Sequence, residues 1–163
     1  SKNLINDVAF ALQYLKRCTR LGMGLNKAIY NLRNYGIDSG TIDHCLEELE
    51  DDEEYNAAIE IINTLYQRNA NNSYKAIIKK IRDRLYFKGF TNETIERAMA
   101  DYDFSYSAEK EEGALEQEFY KQLYKYQKKM SGNQLNEKLI DVLLRKGYNY
   151  ENIKQLIKQR GDI

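Results

Sequence analysis

The sequence predicts an all-α protein made of tandem three-helix repeats that stack into an elongated, curved helical array. Three observations carry that prediction. The 163 residues contain no proline, so nothing interrupts helix hydrogen bonding by loss of an N–H. Leu and Ile recur at helical spacing, and no stretch alternates with the period of a strand. A helix, a stop at glycine and a second capped helix then occur three times, at Gly36, Gly89 and Gly147.

In chain order, Leu4, Val8, Ala11, Leu12 and Leu15 form the stripe of a first helix running from about Asn6 to Thr19. Phe10 and Tyr14, four apart and off that stripe, are placed to face a neighbouring helix. Gly22-Met23-Gly24 breaks the helix. Leu25, Ala28, Ile29 and Leu32 form a second helix, about one turn shorter than its later counterparts, which stops at Gly36. Asp38 or Ser39 caps a third, with Ile42, Cys45, Leu46 and Leu49 inward.

The pattern restarts with Tyr55, Ala58, Ile59, Ile62, Leu65 and Tyr66, and Asp51 to Glu54 in the first turn favour that helix's dipole. After the connector Asn69-Ala70-Asn71-Asn72-Ser73, the residues Tyr74, Ile77, Ile78, Ile81 and Leu85 form a helix ended by Gly89. Thr91 or Asn92 caps the next, with Ile95, Ala98, Met99 and Tyr102 inward. A longer helix, Ser107 to Met130, follows, weakened in its first half by Gly113. Its inward face is Leu115, Phe119, Leu123, Tyr126 and Met130. Leu135, Leu139, Val142 and Leu143 lead to Gly147, and Asn149 or Tyr150 starts a last helix with Ile153, Leu156 and Ile157 inward.

Aligned on the three glycines, the segments share a chemistry. Leu stands four residues before each (Leu32, Leu85, Leu143) and a large apolar residue one after (Ile37, Phe90, Tyr148). A capping residue stands two after (Asp38, Thr91, Asn149) and Ile six after (Ile42, Ile95, Ile153). The repeats divide the chain into 1–50, 51–103 and 104–163. A unit that buries its stripe partly against the next builds an extended array.

Composition narrows the function. Net charge is zero, which excludes a bulk polycation for nucleic acid. The charge is laid out in blocks instead. Residues 47–60 hold eight acids and no base, and residues 68–88 hold seven bases against Asp83. Such blocks pair across helices or form separate partner faces. Cys18 and Cys45 lie on apolar stripes outside any CxxC, as reduced core residues of a cytoplasmic protein. No apolar run is long enough to span a membrane, and no signal peptide is read at the start. The chain begins Ser-Lys-Asn without Met, which implies a processed or trimmed chain.

Enzymatic chemistry finds no convergent set, so no catalytic, metal or cofactor residues are assigned and the protein is read as a non-enzyme. His44, the single histidine, stands among acids, and its neighbour Cys45 points away from it on a helix. Gly22-x-Gly24 follows a helix and lacks a third glycine, unlike a dinucleotide loop. A DNA-reading helix-turn-helix needs a basic second helix, but Asp43, Glu47, Glu48 and Glu50 make the first acidic, and Glu93, Glu96, Asp101 and Asp103 the second. The basic residues collect elsewhere. Lys75, Lys79, Lys80, Arg82, Arg84 and Lys88 lie on the helix before Gly89, and Lys121, Lys125, Lys128 and Lys129 interleave with Tyr120, Tyr124 and Tyr126. These ten cations are the candidate contacts for a phosphate backbone or an acidic protein surface. Solvated helix faces with packing tyrosines are the plain alternative.

At this point the sequence resembles the RecX family of recombinase regulators, along essentially its whole length. The family's tandem three-helix repeats with a helix-ending glycine are similar to the three aligned segments. Its opening Leu-x-Asp-Asp phrase, followed by aromatics and Ala, resembles Leu4-Ile5-Asn6-Asp7-Val8-Ala9-Phe10-Ala11-Leu12-Gln13-Tyr14 and is echoed by Asp51 to Ala58. Its Lys-Gly-aromatic step before a capped helix resembles Lys88-Gly89-Phe90-Thr91 and Lys146-Gly147-Tyr148-Asn149. Three features depart from it: Gly24 is followed by Leu25 where the family usually has proline, the family's leading segment upstream of Leu4 is not found, and the helix from Leu25 is about a turn short. The resemblance implies a cytoplasmic, non-enzymatic monomer that binds the RecA recombinase filament on single-stranded DNA. It would lower the filament's ATPase, strand-exchange and coprotease activities in DNA repair, recombination and the SOS response. Single-stranded DNA is a further contact it allows. A direct nucleic-acid-binding module and a helical adaptor for another protein are the competing readings.

Overall fold

The computed structural model describes residues 4–50 and 52–161, with the side chain of Leu4 outside that description. Asp51, expected in a helical first turn, also lies outside it. The described residues hold nine helices and no strand: α1 Leu4–Arg20, α2 Leu25–Asn34, α3 Ser39–Glu47, α4 Glu53–Arg68, α5 Tyr74–Phe87, α6 Asn92–Asp101, α7 Ala108–Tyr126, α8 Gly132–Arg145 and α9 Tyr150–Gly161. The all-α reading therefore holds. The long helix expected over Ser107 to Met130 ends at Tyr126, and residues 127–129 turn. Helix α2 has 10 residues and α5 and α8 have 14 each, a difference of about one turn.

The helix ends follow from the sequence chemistry. Asp38, Thr91 and Ser107 stand in extended backbone and accept the N–H of Thr41, Thr94 and Lys110, capping α3, α6 and α7. Each such cap contributes about 1 kcal/mol. Gly36, Gly89 and Gly147 have φ of 85°, 85° and 86°, a left-handed conformation that costs a side-chain-bearing residue free energy. The turns are hydrogen-bonded alike. Ile37, Phe90 and Tyr148 donate their N–H to the carbonyls of Leu32, Leu85 and Leu143 at 3.1, 3.1 and 3.2 Å. That bond is the outer one of a Schellman motif. It explains why Leu stands four residues before each glycine and a large apolar residue one after. All six of those side chains are buried.

The chain forms two compact units. One comprises Ser1–Leu65 and Ile81–Tyr102, the other Tyr66–Lys80 and Asp103–Ile163. In the first, α1, α2 and α3 enclose Ala11, Leu15, Cys18, Ala28, Leu32, Ile37, Ile42 and Cys45. In the second, α7, α8 and α9 enclose Leu115, Phe119, Leu135, Leu139, Leu143, Tyr148 and Ile153. Each fully buried Leu, Ile or Phe contributes about 1.5–3 kcal/mol relative to exposure. Both cysteines are buried and unbridged, and burial pushes both thiols up. Phe10 and Tyr14 turn toward α2: the rings stack at 6.0 Å, and the Tyr14 hydroxyl accepts a bond from Asn31 at 2.9 Å. No described helix is long and apolar enough to cross a membrane.

Candidate partner-contact surfaces

The ten candidate cations are divided between the two units. Lys75, Lys79 and Lys80 of α5 belong to the second unit, while Arg82 and Arg84 of α5 and Lys88 in the turn after it belong to the first. At 100° per residue, Lys75, Lys79 and Arg82 fall within about 60° of one another, and Lys80 and Arg84 lie on the opposite flank of the buried stripe Ile77, Ile81, Leu85. All are exposed except Lys88, which is half-buried. The Lys88 carbonyl accepts the N–H of Gly24 at 2.9 Å, so this residue is structural as well as charged. Arg82 pairs with Glu96 on α6, and Lys80 donates to Asn69 at 2.6 Å. Arg97 pairs with Asp52 at 3.1 Å, so each of these ion pairs takes one partner from a charge block and the other from outside it, and neither joins the 47–60 block to the 68–88 block. Exposed pairs of this kind contribute little, about 0–1 kcal/mol.

The α7 group is more coherent, and all of it lies in the second unit. Lys121, Lys125 and Lys128 follow one another at i, i+4 and i+7, beside the exposed rings of Tyr120 and Tyr124. The Lys128 ammonium lies 4.2 Å from the Tyr124 ring centroid and 3.2 Å from its hydroxyl. Lys125 stands 5.2 Å from the ring of Tyr126, which is itself half-buried against the core. Lys129 is exposed in the turn after the helix. Lysines held over phenol rings keep their charge outward and their stems packed.

Beneath this strip Glu118 is 2% exposed, accepts the Gln122 amide at 2.6 Å and pairs with Lys146 at 3.0 Å. Burial alone would raise its carboxyl, but Gln122 and Lys146 outweigh it and hold the pKa below the ordinary value. Sequence patterning did not single out Glu118. Its one signal is position: it follows Leu115 by three residues and immediately precedes Phe119, on the inward side of the helix.

Another carboxylate was read as a dipole partner only. Glu54, 5% exposed, accepts the N–H of Leu25 at 2.8 Å, the N–H of Thr91 at 3.1 Å and the hydroxyls of Thr91 and Thr94 at 2.8 and 2.5 Å. It ties the start of α2 to the start of α6. Sequence reasoning also missed exposed aromatics. Tyr86 and Phe87 are 73% and 74% exposed, with Lys27 5.8 Å from the Phe87 ring. Their place off the Ile/Leu stripe was the available signal.

Nothing in the described residues gathers a catalytic set. His44 is exposed, Cys45 is buried beside it, and no group of three potential metal ligands comes together.

The described residues thus make an all-α fold with an exposed lysine and tyrosine strip on α7. Comparison with known proteins adds the family. The chain is 32% identical over 130 residues, 80% of its length, to "Regulatory protein RecX" of Staphylococcus saprophyticus, and covers 47% of that protein. It is 29% identical over 156 residues to the RecX of Oceanobacillus iheyensis and 28% identical over 158 residues to that of Enterococcus faecalis, covering 57% and 59% of them. Over these residues the chain belongs to the RecX family of regulatory proteins, and it spans about half the length of these relatives. No protein-family model matches it, and no solved structure does.

Proposed function

We propose that the chain is a non-enzymatic regulator that binds the RecA recombinase filament on single-stranded DNA and lowers its ATPase, strand-exchange and coprotease activities in the cytoplasm. The observation that carries this reading is the α7 strip, in which exposed Tyr120 and Tyr124 stand beside Lys121, Lys125 and Lys128. Similarity to RecX regulatory proteins supports a RecA-related partner for the chain. An acidic recombinase surface meeting these lysines would be steered to them, since charge matching raises on-rate and specificity more than affinity. Lys75, Lys79, Lys80, Arg82, Arg84, Lys88 and Lys129 are the remaining contact candidates, with Lys88 the weakest because its backbone is engaged within the fold.

The test is recombinase ATP hydrolysis on single-stranded DNA with the chain added below stoichiometry. We expect inhibition, and we expect Lys121→Glu, Lys125→Glu and Lys128→Glu together to weaken it with helicity unchanged. Inhibition that survives the triple reversal removes the α7 strip from the interface. A second reading, direct binding of single-stranded nucleic acid, is favoured by the same alternation of rings and ammonium groups. Titration of the chain with single-stranded DNA in the absence of recombinase separates the two, because phosphate binding weakens steeply with salt.

A further inference from the structure

Two joints in this chain are built in the same register. In the first unit, Gly24 donates its N–H to the Lys88 carbonyl at 2.9 Å, Leu25 donates to Glu54 at 2.8 Å, and Asn26 donates to the Gly89 carbonyl at 2.9 Å. In the second, Ser73 donates to the Lys146 carbonyl at 3.1 Å and Tyr74 to Glu111 at 3.1 Å. The glycine of each turn is pressed against the third residue past the donor. A Cβ on Gly89 would collide with Lys27, and one on Gly147 would lie 2.6 Å from Ala76. Each joint thus has a socket (a helix-ending glycine turn plus a carboxylate) and a plug (a helix start with free N–H groups).

A third socket is present and is open among the described residues. Asp7 stands four residues before the buried Ala11, as Glu54 stands before Ala58 and Glu111 before Leu115. Tyr35 and Gly36 occupy the places of Lys88 and Gly89. Tyr14 occupies the place of Ile61 and Glu118, which are covered in the closed joints: a Cβ on Gly22 would touch Ile61 at 3.4 Å, and Glu118 is 2% exposed. Among the described residues nothing covers it. A Cβ on Gly36 would meet nothing within 4 Å, Tyr35 is 62% exposed and Phe10 48% exposed. Phe10 and Tyr14 stack and Tyr35 meets both edge-to-face, with centroids 5.7–6.3 Å apart.

The matching plug is on the second unit. Ser131 holds the place of Gly24 and Ser73, makes no side-chain cap bond, and is exposed together with Gly132, Asn133 and Gln134. Met130 precedes it as Met23 precedes Gly24, and Lys128 and Lys129 come just before. That end is cationic through the lysines and the helix dipole, whereas the socket carries Asp7, Asp38 and three aromatic rings.

We propose that the Gly36 socket of one copy takes the Ser131 end of a second copy, so that the chain self-associates head to tail. In register with the closed joints, Ser131 and Asn133 donate to the Tyr35 and Gly36 carbonyls and Gly132 donates to Asp7. Lys128 and Lys129 lie over the Tyr14 and Tyr35 rings. This departs from the monomer expected from sequence. The interface is heterologous, so one copy can use both halves at once.

Sedimentation velocity of the full chain over a range of concentrations tests it. The weight-average mass should rise with concentration above that of one chain. Asp7→Lys blocks the socket. Ser131→Trp with Asn133→Pro blocks the plug, and proline in a helical first turn removes an N–H the helix does not use. Circular dichroism should be unchanged in both. Each block should weaken self-association at least about tenfold, and an equimolar mixture of the two variants should form a two-chain species and stop there. A wild-type chain that stays monomeric throughout, or association that ignores either block, overturns the proposal.

Discussion

The carboxylate of Glu54 on α4 accepts the backbone N–H of Leu25, the first residue of α2, at 2.8 Å. A side chain distant in sequence thereby satisfies a helix start that its own N-cap, Gly24, cannot serve, since glycine has no side chain. Because Thr91 and Thr94 use the same carboxylate, its loss strands several donors at once. Glu54→Ala should cost about 2–4 kcal/mol, the scale of unsatisfied buried donors to a charged acceptor. Glu54→Gln, which keeps one acceptor oxygen, should cost less. Urea midpoints for the three proteins measure this, and equal midpoints would show that water replaces the carboxylate freely.

The three Schellman glycines should not respond alike to alanine. All share a φ near 85°, so all pay about 1–2 kcal/mol for a Cβ in the left-handed region. Within one copy Gly36 pays only that, because its surroundings there are open, whereas Gly89 adds a collision with Lys27 and Gly147 a 2.6 Å approach to Ala76. Thermal unfolding should therefore rank Gly36→Ala as the mildest of the three. A larger loss at Gly36 than at Gly89 would contradict the packing at the first joint.

That ranking also marks what was legible in the chain. The helix ends were readable because they are local: a glycine, a leucine four residues earlier and a capping residue two later suffice to specify the turn. The inward stripes were readable for the same reason. The joints were not, since the partners of Gly24 are Lys88 and Gly89, and only backbone approach explains why glycine stands there. Glu54 stood out only as a first-turn member of the acidic block at 47–60 and Glu118 not at all, because patterning cannot show that a carboxylate is buried when its donors come from distant segments. The ten candidate cations were legible as residues but not as a surface. Helical geometry and the division of α5 between two compact units separate groups that adjacency in sequence had joined.

Acid should act through Glu118. Its pKa is lowered in the fold from an ordinary 4.5, so its stabilising contribution is present above the unfolded value and is lost as pH falls through the lower folded value. Glu118→Gln should destabilise at pH 7, because Lys146 then loses its partner, and the deficit should shrink below about pH 4. Chemical denaturation at the two pH values gives the comparison. A deficit that is constant with pH would mean that the carboxylate's charge is not what matters.

Alkali should act through Tyr148. Burial, reinforced by the negative charges of Glu118 and Glu111, raises its phenol from 10.0 to about 12, and the hydroxyl donates to the Asn71 carbonyl at 2.6 Å. The sign is opposite to that of Glu118. The contribution is complete below pH 10 and is lost as pH rises through about 12, because the unfolded chain ionises first. In Tyr148→Phe the alkaline fall in stability should be shallower, at the expense of about 1 kcal/mol at neutral pH for the lost hydrogen bond. Ultraviolet titration should show one tyrosine fewer ionising late.

On α7, ring and charge can be separated experimentally. If the strip binds single-stranded DNA directly, Tyr120→Ala with Tyr124→Ala removes stacking platforms worth about 1–3 kcal/mol per base and leaves the salt dependence of affinity unchanged. Lys121→Gln or Lys125→Gln should instead reduce the slope of log affinity against log salt by about 1 each. Lys128→Gln should do both in part, since its ammonium lies 4.2 Å from the Tyr124 ring centroid and helps hold that ring in place. If the strip binds the recombinase and not DNA, none of these variants changes the weak background affinity for DNA, and all of them reduce inhibition of the filament ATPase. Filament inhibition that survives every one of them would move the contact to the exposed Lys75 and Lys79 of α5.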